Sequence, residues 1–302
     1  MSAPYTFRRY RPDDFQAVAA LAVAASSSPD TACGQPDVAS SDEFEADYGH
    51  RNLEAEAWVA EQDGQVVAFA AGGSRNQTLI IDGPIVAPAY QRQGIGEALF
   101  RLLEDDARAI GAQYARGGVR ASNERGKRFL EAQGYAPQDQ IFVYEAHQPL
   151  QGELTVPEGL TIGELKPRHL VPFLMIMHEC FPAYRLPSTP QRLFEPDKMK
   201  IFLALDESDK PVGAVTAFFY PEDRIAYIYH LGITEPYRRS GLGRALLLSA
   251  TAWLWETHDP RFVGLSSSDS AGVRQSLFER VGFALQYSLL YMQKAVAQTA
   301  KT

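Results

Sequence analysis

Two copies of one glycine loop constrain this chain more than any other feature. The first reads Gln91-Arg92-Gln93-Gly94-Ile95-Gly96 and the second Arg238-Arg239-Ser240-Gly241-Leu242-Gly243. Gly94 and Gly241 lie near half a chain apart in a sequence of 302 residues. Each loop follows an apolar stretch and a tyrosine, Tyr90 or Tyr237, and each runs into an amphipathic pattern. The pattern predicts helices over Glu97 to Ala109 and Arg244 to Trp255. A strand that stops, a glycine turn and a helix start leave backbone N–H groups unpaired and aimed outward. The positive end of the helix dipole lies there too. Such a place suits an anion, a pyrophosphate in particular. Glycine lets phosphates approach the main chain without a Cβ in the way. Gln91, Arg92, Arg238, Arg239 and Arg244 can add side-chain donors. One copy alone could be a helix start whose glycines only turn the chain; two copies in one context argue for binding.

The repeat extends beyond the loops. Thr6 to Pro12 resembles Thr161 to Pro167, each a short strand and then a proline at a helix start. Hairpin patterns follow, Trp58 through Gly64 to Phe69, and Phe202 through Asp209 to Ala214. Late in each half comes a glycine–aromatic pair, Gly134-Tyr135 and Gly282-Phe283, and then an apolar strand. Self-similarity at this period means a duplicated domain. The expected domains are 1–148 and 159–302, joined by a Pro-, Gly- and polar-rich linker at 149–158. The length is ample for two cores. Strands interleaved with helices make the expected class α/β, in the mixed α+β sense.

Several classes are excluded. The dinucleotide fingerprint needs a third glycine where Leu99 and Leu246 stand, and neither loop has the Lys-Ser/Thr of a nucleotide P-loop. A net charge of −8 gives no electrostatic footprint for nucleic acid. No apolar run reaches membrane-spanning length, and the polar segment Met1 to Arg11 points to the cytoplasm. Cys33 and Cys180 read as reduced thiols. His178-Glu179-Cys180 has no second cluster to complete a metal site, so no metal is expected.

Taken together, the loop after an apolar strand and the later glycine–aromatic pair resemble the GNAT family of N-acetyltransferases. The resemblance covers both halves, as a tandem duplication. It implies two domains, each with a mixed, mostly antiparallel sheet flanked by helices. It also implies that acyl-CoA lies where the strand before the loop splays from its neighbour. Acetyl-CoA or another acyl-CoA would be the co-substrate. Its pantetheine arm would meet Ile85 and Val86 in one half, and Gly232 and Ile233 in the other. Its pyrophosphate would meet Gln91, Arg92, Gln93, Gly94, Ile95 and Gly96, or Arg238, Arg239, Ser240, Gly241, Leu242 and Gly243, with Arg244 beside the second loop. Asn123 matches a family asparagine near the coenzyme, and Lys127 or Arg128 could meet its 3′-phosphate or form a solvated face.

The departures also matter. The family's general-acid tyrosine is replaced by Leu130 in one half and Phe278 in the other, and Ala271 stands at the second asparagine position. The thiolate then leaves unaided, or another tyrosine such as Tyr287 or Tyr291 reaches it. For the base, His230 titrates in the right range, and Tyr227 matches a strand position where relatives carry a glutamate. Alternatively Tyr227 and Tyr229 pack on a strand face and His230 fills a polar spot. The first half offers Asp82 on its equivalent strand. Its more basic loop and polar strand make the second half the expected catalytic one, with His230, Tyr227 and Tyr291 as candidates and Gly241→Glu more damaging than Gly94→Glu. The expected acceptor is a primary amine of a small molecule or peptide, contacted by loops Ser26–Asp42 and the proline-rich Pro182–Asp197. The expected assembly is a monomer or homodimer. A non-catalytic acyl-CoA or ligand-binding protein is the competing reading, because both general-acid positions are apolar.

Overall fold

The computed structural model describes residues 5–28, 30–31, 33, 36–181, 197–268 and 274–296. The first half begins with β1 (Thr6–Arg9), and a short 3₁₀ turn starting at Pro12 leads into α1 (Phe15–Ser26). Two shorter helices, α2 (Ser41–Tyr48) and α3 (Leu53–Glu56), precede β2 (Ala57–Gln62), β3 (Gln65–Arg75) and β4 (Thr78–Val86). Asp63 and Gly64 both take positive φ, 51° and 79°, and so join β2 to β3 in a tight hairpin turn. The glycine loop then opens α4 (Ile95–Ala109), followed by β5 (Tyr114–Arg120), α5 (Glu124–Ala132) and β6 (Ala136–Ala146).

The second half repeats this order. It runs β7 (Thr161–Glu164), α6 (Leu170–Cys180), β8 (Met199–Leu205), β9 (Pro211–Tyr220) and β10 (Ile225–Ile233). The second glycine loop opens α7 (Leu242–His258), and β11 (Phe262–Ser268), α8 (Arg274–Val281) and β12 (Ala284–Ala295) complete it. Both predicted post-loop helices are present: α4 begins two residues earlier than its periodicity suggested, and α7 begins two earlier and ends three later, each with the loop glycine as its N-cap.

The chain packs as two compact units, and their limits do not follow the repeat. One unit holds Met1–Ile141 together with Tyr287–Thr302, the other Phe142–Gln286. In the first unit most of β12 lies antiparallel beside β5, with Leu289 opposite Arg120 and Tyr291 opposite Gly118. Met292 and Val296 join that unit's core. In the second unit the end of β6 lies next to β11, and Tyr144 and Ala146 are part of its core. Each unit thus includes the closing strand of the other repeat.

Each sheet is antiparallel except for one parallel pair. In the first unit β1–β2–β3–β4 pair antiparallel, and β4 meets β5 in parallel only over Thr78–Ile81 and Tyr114–Gly117. In the second, β10 meets β11 in parallel only over Ile225–Ile228 and Phe262–Leu265. Beyond Ile81 and Ile228 the strands part. A register shift on the β3 side falls between Phe69 and Ala71, opposite Gly83-Pro84, and one in β10 falls between Ile228 and His230. Such bulges bend a strand away from its neighbour.

The long helices hold these wedges open from one face. Helix α4 buries Ile95, Leu99, Phe100, Leu103 and Ala107, a stripe at helical spacing, against β3, β4 and β5. Helix α7 buries Leu242, Leu246, Leu247, Ala250 and Leu254 in the same way. Leu99 is fully buried. Leu99→Ala should therefore cost about 2–5 kcal/mol, from lost transfer energy and the cavity left behind. A fall in the denaturant midpoint at unchanged slope would report it.

Candidate acyl-CoA site

The two glycine loops have the same backbone. Arg92 and Arg239 take φ of 63° and 64°, and Gly94 and Gly241 take 80° and 91°. Residues of alternating hand turn successive N–H groups to one side, which makes an anion cradle at the helix start. Each loop is tied to its preceding strand through one carbonyl. Gln91 Nε2 donates to Val86 O at 3.0 Å, and Arg238 Nε donates to Ile233 O at 2.9 Å. In the second loop Ser240 Oγ also donates to Tyr237 O at 2.8 Å.

Around the first loop lies a cavity of about 900 Å³. Gln91, Arg92, Gly94, Ile95 and Gly96 line it, as do Ile85 and Val86 on the splayed part of β4. Asn123 lines it as the N-cap of α5, where its side chain accepts from Gly126 N at 2.8 Å. Arg128 is on the wall, whereas Lys127 turns to Glu124. Leu21, Ala24 and Ala25 of α1 and Cys33 complete it. Cys33 forms an isolated antiparallel bridge with Val119, on the edge of β5 that β4 has left.

At the corresponding strand of the second unit the packing is different. Cys180 and Phe181 lie against Gly232, so that a Cβ on Gly232 would meet them at 3.1–3.2 Å. Cys180 Sγ donates to Ile233 O at 3.5 Å. In the paired stretch before the strands part, the Tyr227 ring covers Gly264, its register partner. The prolines Pro12 and Pro167 align α1 with α6, placing Ala25 and Ser26 at the positions of Cys180 and Phe181. The small Ala25 lines the cavity in the first unit, whereas the larger Cys180 and Phe181 pack on the strand in the second.

The comparisons with known proteins agree with this geometry. The family model for the acetyltransferase (GNAT) family matches residues 20–135 and 170–283, most of the chain and once per half. The chain belongs to the GNAT family. A GCN5-related N-acetyltransferase from Sphaerobacter thermophilus shares its fold at a TM-score of 0.79, with 24% identity over 99% of this chain and 98% of that one. A tandem GNAT protein from the clavulanic acid biosynthesis pathway does so at 0.70, with 17% identity over 98% and 100%. A glucosamine N-acetyltransferase region of a fungal multi-domain β-N-acetylglucosaminidase aligns at 0.71 and 16% identity, over 97% of this chain and 38% of that one. No curated protein matches. The fold is thus two tandem GNAT domains, mixed α+β, each with a mostly antiparallel sheet flanked by helices. No described helix is long and apolar enough to cross a membrane.

Within this GNAT frame the three catalytic candidates separate. Tyr227 and His230 lie in the second unit, and Tyr291 lies in the first. His230 is half-buried, its ring edge-on to Phe181 at 5.1 Å, and burial pushes its pKa below the ordinary histidine value. Tyr227 sits among Tyr220, Tyr229 and Phe262. At the general-acid positions Leu130 is 3% exposed and lines the cavity, and Phe278 is 6% exposed, both packed in hydrophobic cores. Ala271 and nearly all of Pro182–Asp197 lie outside the described residues.

Polar groups gather instead on the α2-side face of the first sheet. Asp82 sits where β4 leaves β5 and is 5% exposed. It accepts from Arg51 Nη1 at 2.5 Å, and Arg51 also binds Glu56 at 2.9 Å. Burial raises the Asp82 pKa, an effect larger than the opposing pull of Arg51 and Tyr48. Tyr291 is directly opposite cavity-lining Gly118, and burial raises its pKa as well. Burial, with the charges of Asp82 and Asp37, pushes the Cys33 thiol up to about 12, so it is not a thiolate nucleophile near neutral pH. Among the described residues no group of three or more His, Cys, Asp or Glu could hold a metal ion. Sequence reasoning missed Cys33 and the alanines of α1. The contrast of Ala25-Ser26 with Cys180-Phe181 in the aligned helices was the available signal.

Proposed function

We propose that this GNAT protein transfers an acyl group from acetyl-CoA, or a similar acyl-CoA, to a primary amine, and that the first unit holds the acyl-CoA. The observation that carries this is the cavity of about 900 Å³, which combines the first glycine loop, Ile85, Val86 and Asn123. The second unit keeps the loop but packs Cys180 and Phe181 on the strand beside it, and in this reading it serves as the auxiliary half. In this reading Asp82 is the base. The neutral amine attacks the thioester carbonyl, the C–N bond forms and the C–S bond breaks. Asp82 takes the amine proton directly or through water. Tyr291, kept protonated by its raised pKa, gives its proton to the departing thiolate. The products are an amide and the free CoA thiol, and the tyrosine recovers its proton from solvent.

The test is thiol release from acetyl-CoA over a panel of small-molecule and peptide amines. Tyr291→Phe should lower kcat about 10²-fold with little change in KM for acetyl-CoA. An unchanged kcat would leave the thiolate to depart unaided. The second reading, a non-catalytic acyl-CoA binder, draws on the burial of Leu130 and Phe278 at the general-acid positions. Binding of CoA with no release over the whole panel would favour it. Soluble small amines, with no membrane or nucleic-acid partner, are the proposed acceptors.

A further inference from the structure

The acceptor side of the first unit carries two stacked arginine–tyrosine pairs. Alternation along β5 sends Ala115 and Val119 into the core under α4, and Arg116 and Arg120 to the other face. Along β12 the same rule puts Leu290 and Met292 on the α4 side and Tyr287 and Tyr291 opposite. Arg116 lies over the Tyr291 ring at 4.3 Å and Arg120 over Tyr287 at 3.7 Å. The two arginines differ in what they bind. Arg120 Nη2 reaches both oxygens of Asp37, at 2.9 and 2.7 Å. Arg116 has one carboxylate neighbour among the described residues, Asp139 at 3.6 Å, beyond hydrogen-bond reach. The Nε atoms of both arginines are buried and have no hydrogen-bond partner.

Arg116 is therefore a guanidinium already held in place by an aromatic face, with donors still unfilled. A stacked arginine presents a rigid planar fork that matches a carboxylate. Its place is specific. Arg116 is the register partner of Ile80, and Asp82 is one pleat repeat further on, about 6.6 Å along the strand. Asp82, Arg116 and Asp139 all act on the Tyr291 hydroxyl. A cation that binds an anion and a buried carboxylate that binds an amine thus share one face within a few bonds' reach.

Resting on the reading that acyl-CoA occupies the first unit, we propose that the acceptor is an amine bearing a carboxylate a few bonds away, an amino acid or its close relative. Arg116 holds that carboxylate while the amine lies at Asp82. Asp139 is a loosely held stand-in for the carboxylate, and Tyr291 orients the fork. A plain alkylamine leaves the Arg116 donors unfilled, a penalty that discriminates more strongly than a missing methylene would.

The test uses matched probes, free L-amino acids each against its own carboxamide, with binding read by calorimetry and turnover by thiol release. The wild-type protein should bind at least one acid about 10- to 100-fold more tightly than its amide, the range of a charge-assisted bidentate pair. Arg116→Gln should erase that ratio by raising KM for the acid, and Arg116→Lys should restore only part of it. Asp139→Asn should keep or increase the ratio, since it removes the competitor. CoA binding, measured separately, should be the same in all four proteins. Carboxamides bound as tightly as acids, no binding of any acid, or an unchanged ratio in Arg116→Gln would each overturn the proposal while leaving the acyl-CoA reading standing. Loss of CoA binding in the wild type would overturn that reading instead, and the acid-to-amide ratio would still be read directly.

Discussion

Gly94→Glu should abolish CoA binding and acyl transfer, and Gly241→Glu should leave both near the wild-type level. The comparison is controlled by the structure itself. Both glycines sit at the N-cap of a long helix with positive φ, 80° and 91°, and a Cβ on either meets nothing within 4 Å. The backbone cost of a side chain is therefore alike, about 1–3 kcal/mol each. What differs is the neighbour. At Gly94 the new carboxylate would face a pyrophosphate lying in the open cavity. Two like charges about 4 Å apart at a protein surface repel by about 4 kcal/mol, on the order of a thousandfold in affinity. At Gly241 Cys180 and Phe181 pack on the strand beside the loop, and in the proposed reading no coenzyme meets the carboxylate. Isothermal titration with CoA, alongside thermal unfolding to match stability, reads the difference. The opposite ranking would return the coenzyme to the second half, which the arginines of its loop had favoured at the level of sequence.

The duplication, both glycine loops and the family were legible in the sequence because each is local. A glycine loop needs only a few adjacent residues, and the hydrophobic stripe of α4 or α7 needs only helical spacing. What the sequence did not disclose is non-local. Tyr291 belongs to the second repeat by position, yet it packs opposite Gly118 of the first unit. No periodicity in β12 announces which strand it will join, because Leu290 and Met292 would suit either core. The preference for the second half, drawn from sequence, and the proposal for the first, drawn from the folded chain, differ for a related reason. Loop charge can be counted, whereas room for a ligand depends on whether the end of the first helix carries Ala25-Ser26 or Cys180-Phe181. Asp82 was visible as a titratable residue on the right strand, but its partner Arg51 comes from the connection between α2 and α3, a pairing that only the folded chain makes.

Asp82→Asn should lower kcat by about 10²- to 10⁴-fold, the usual worth of a positioned general base, with the affinity for CoA nearly unchanged. The pH dependence gives the sharper result. Asp82 works in its ionised form, so kcat/KM should rise with pH through its pKa. Burial places that pKa above the ordinary carboxylate value of about 3.9. The rising limb should accordingly lie higher than for an exposed aspartate and vanish in Asp82→Asn. Arg51→Gln supplies the sign. Arg51 stabilises the ionised carboxylate at 2.5 Å, so its removal should move the limb to still higher pH, by far more than loss of a positive charge far from the site, which is screened. A limb that follows His230 would behave differently. Burial lowers the His230 pKa, so that limb would sit below about 6.5, survive Asp82→Asn and disappear in His230→Ala. That outcome would assign the chemistry to the second unit, and it would leave Asp82 and Arg51 as a buried ion pair that holds the bend of β4.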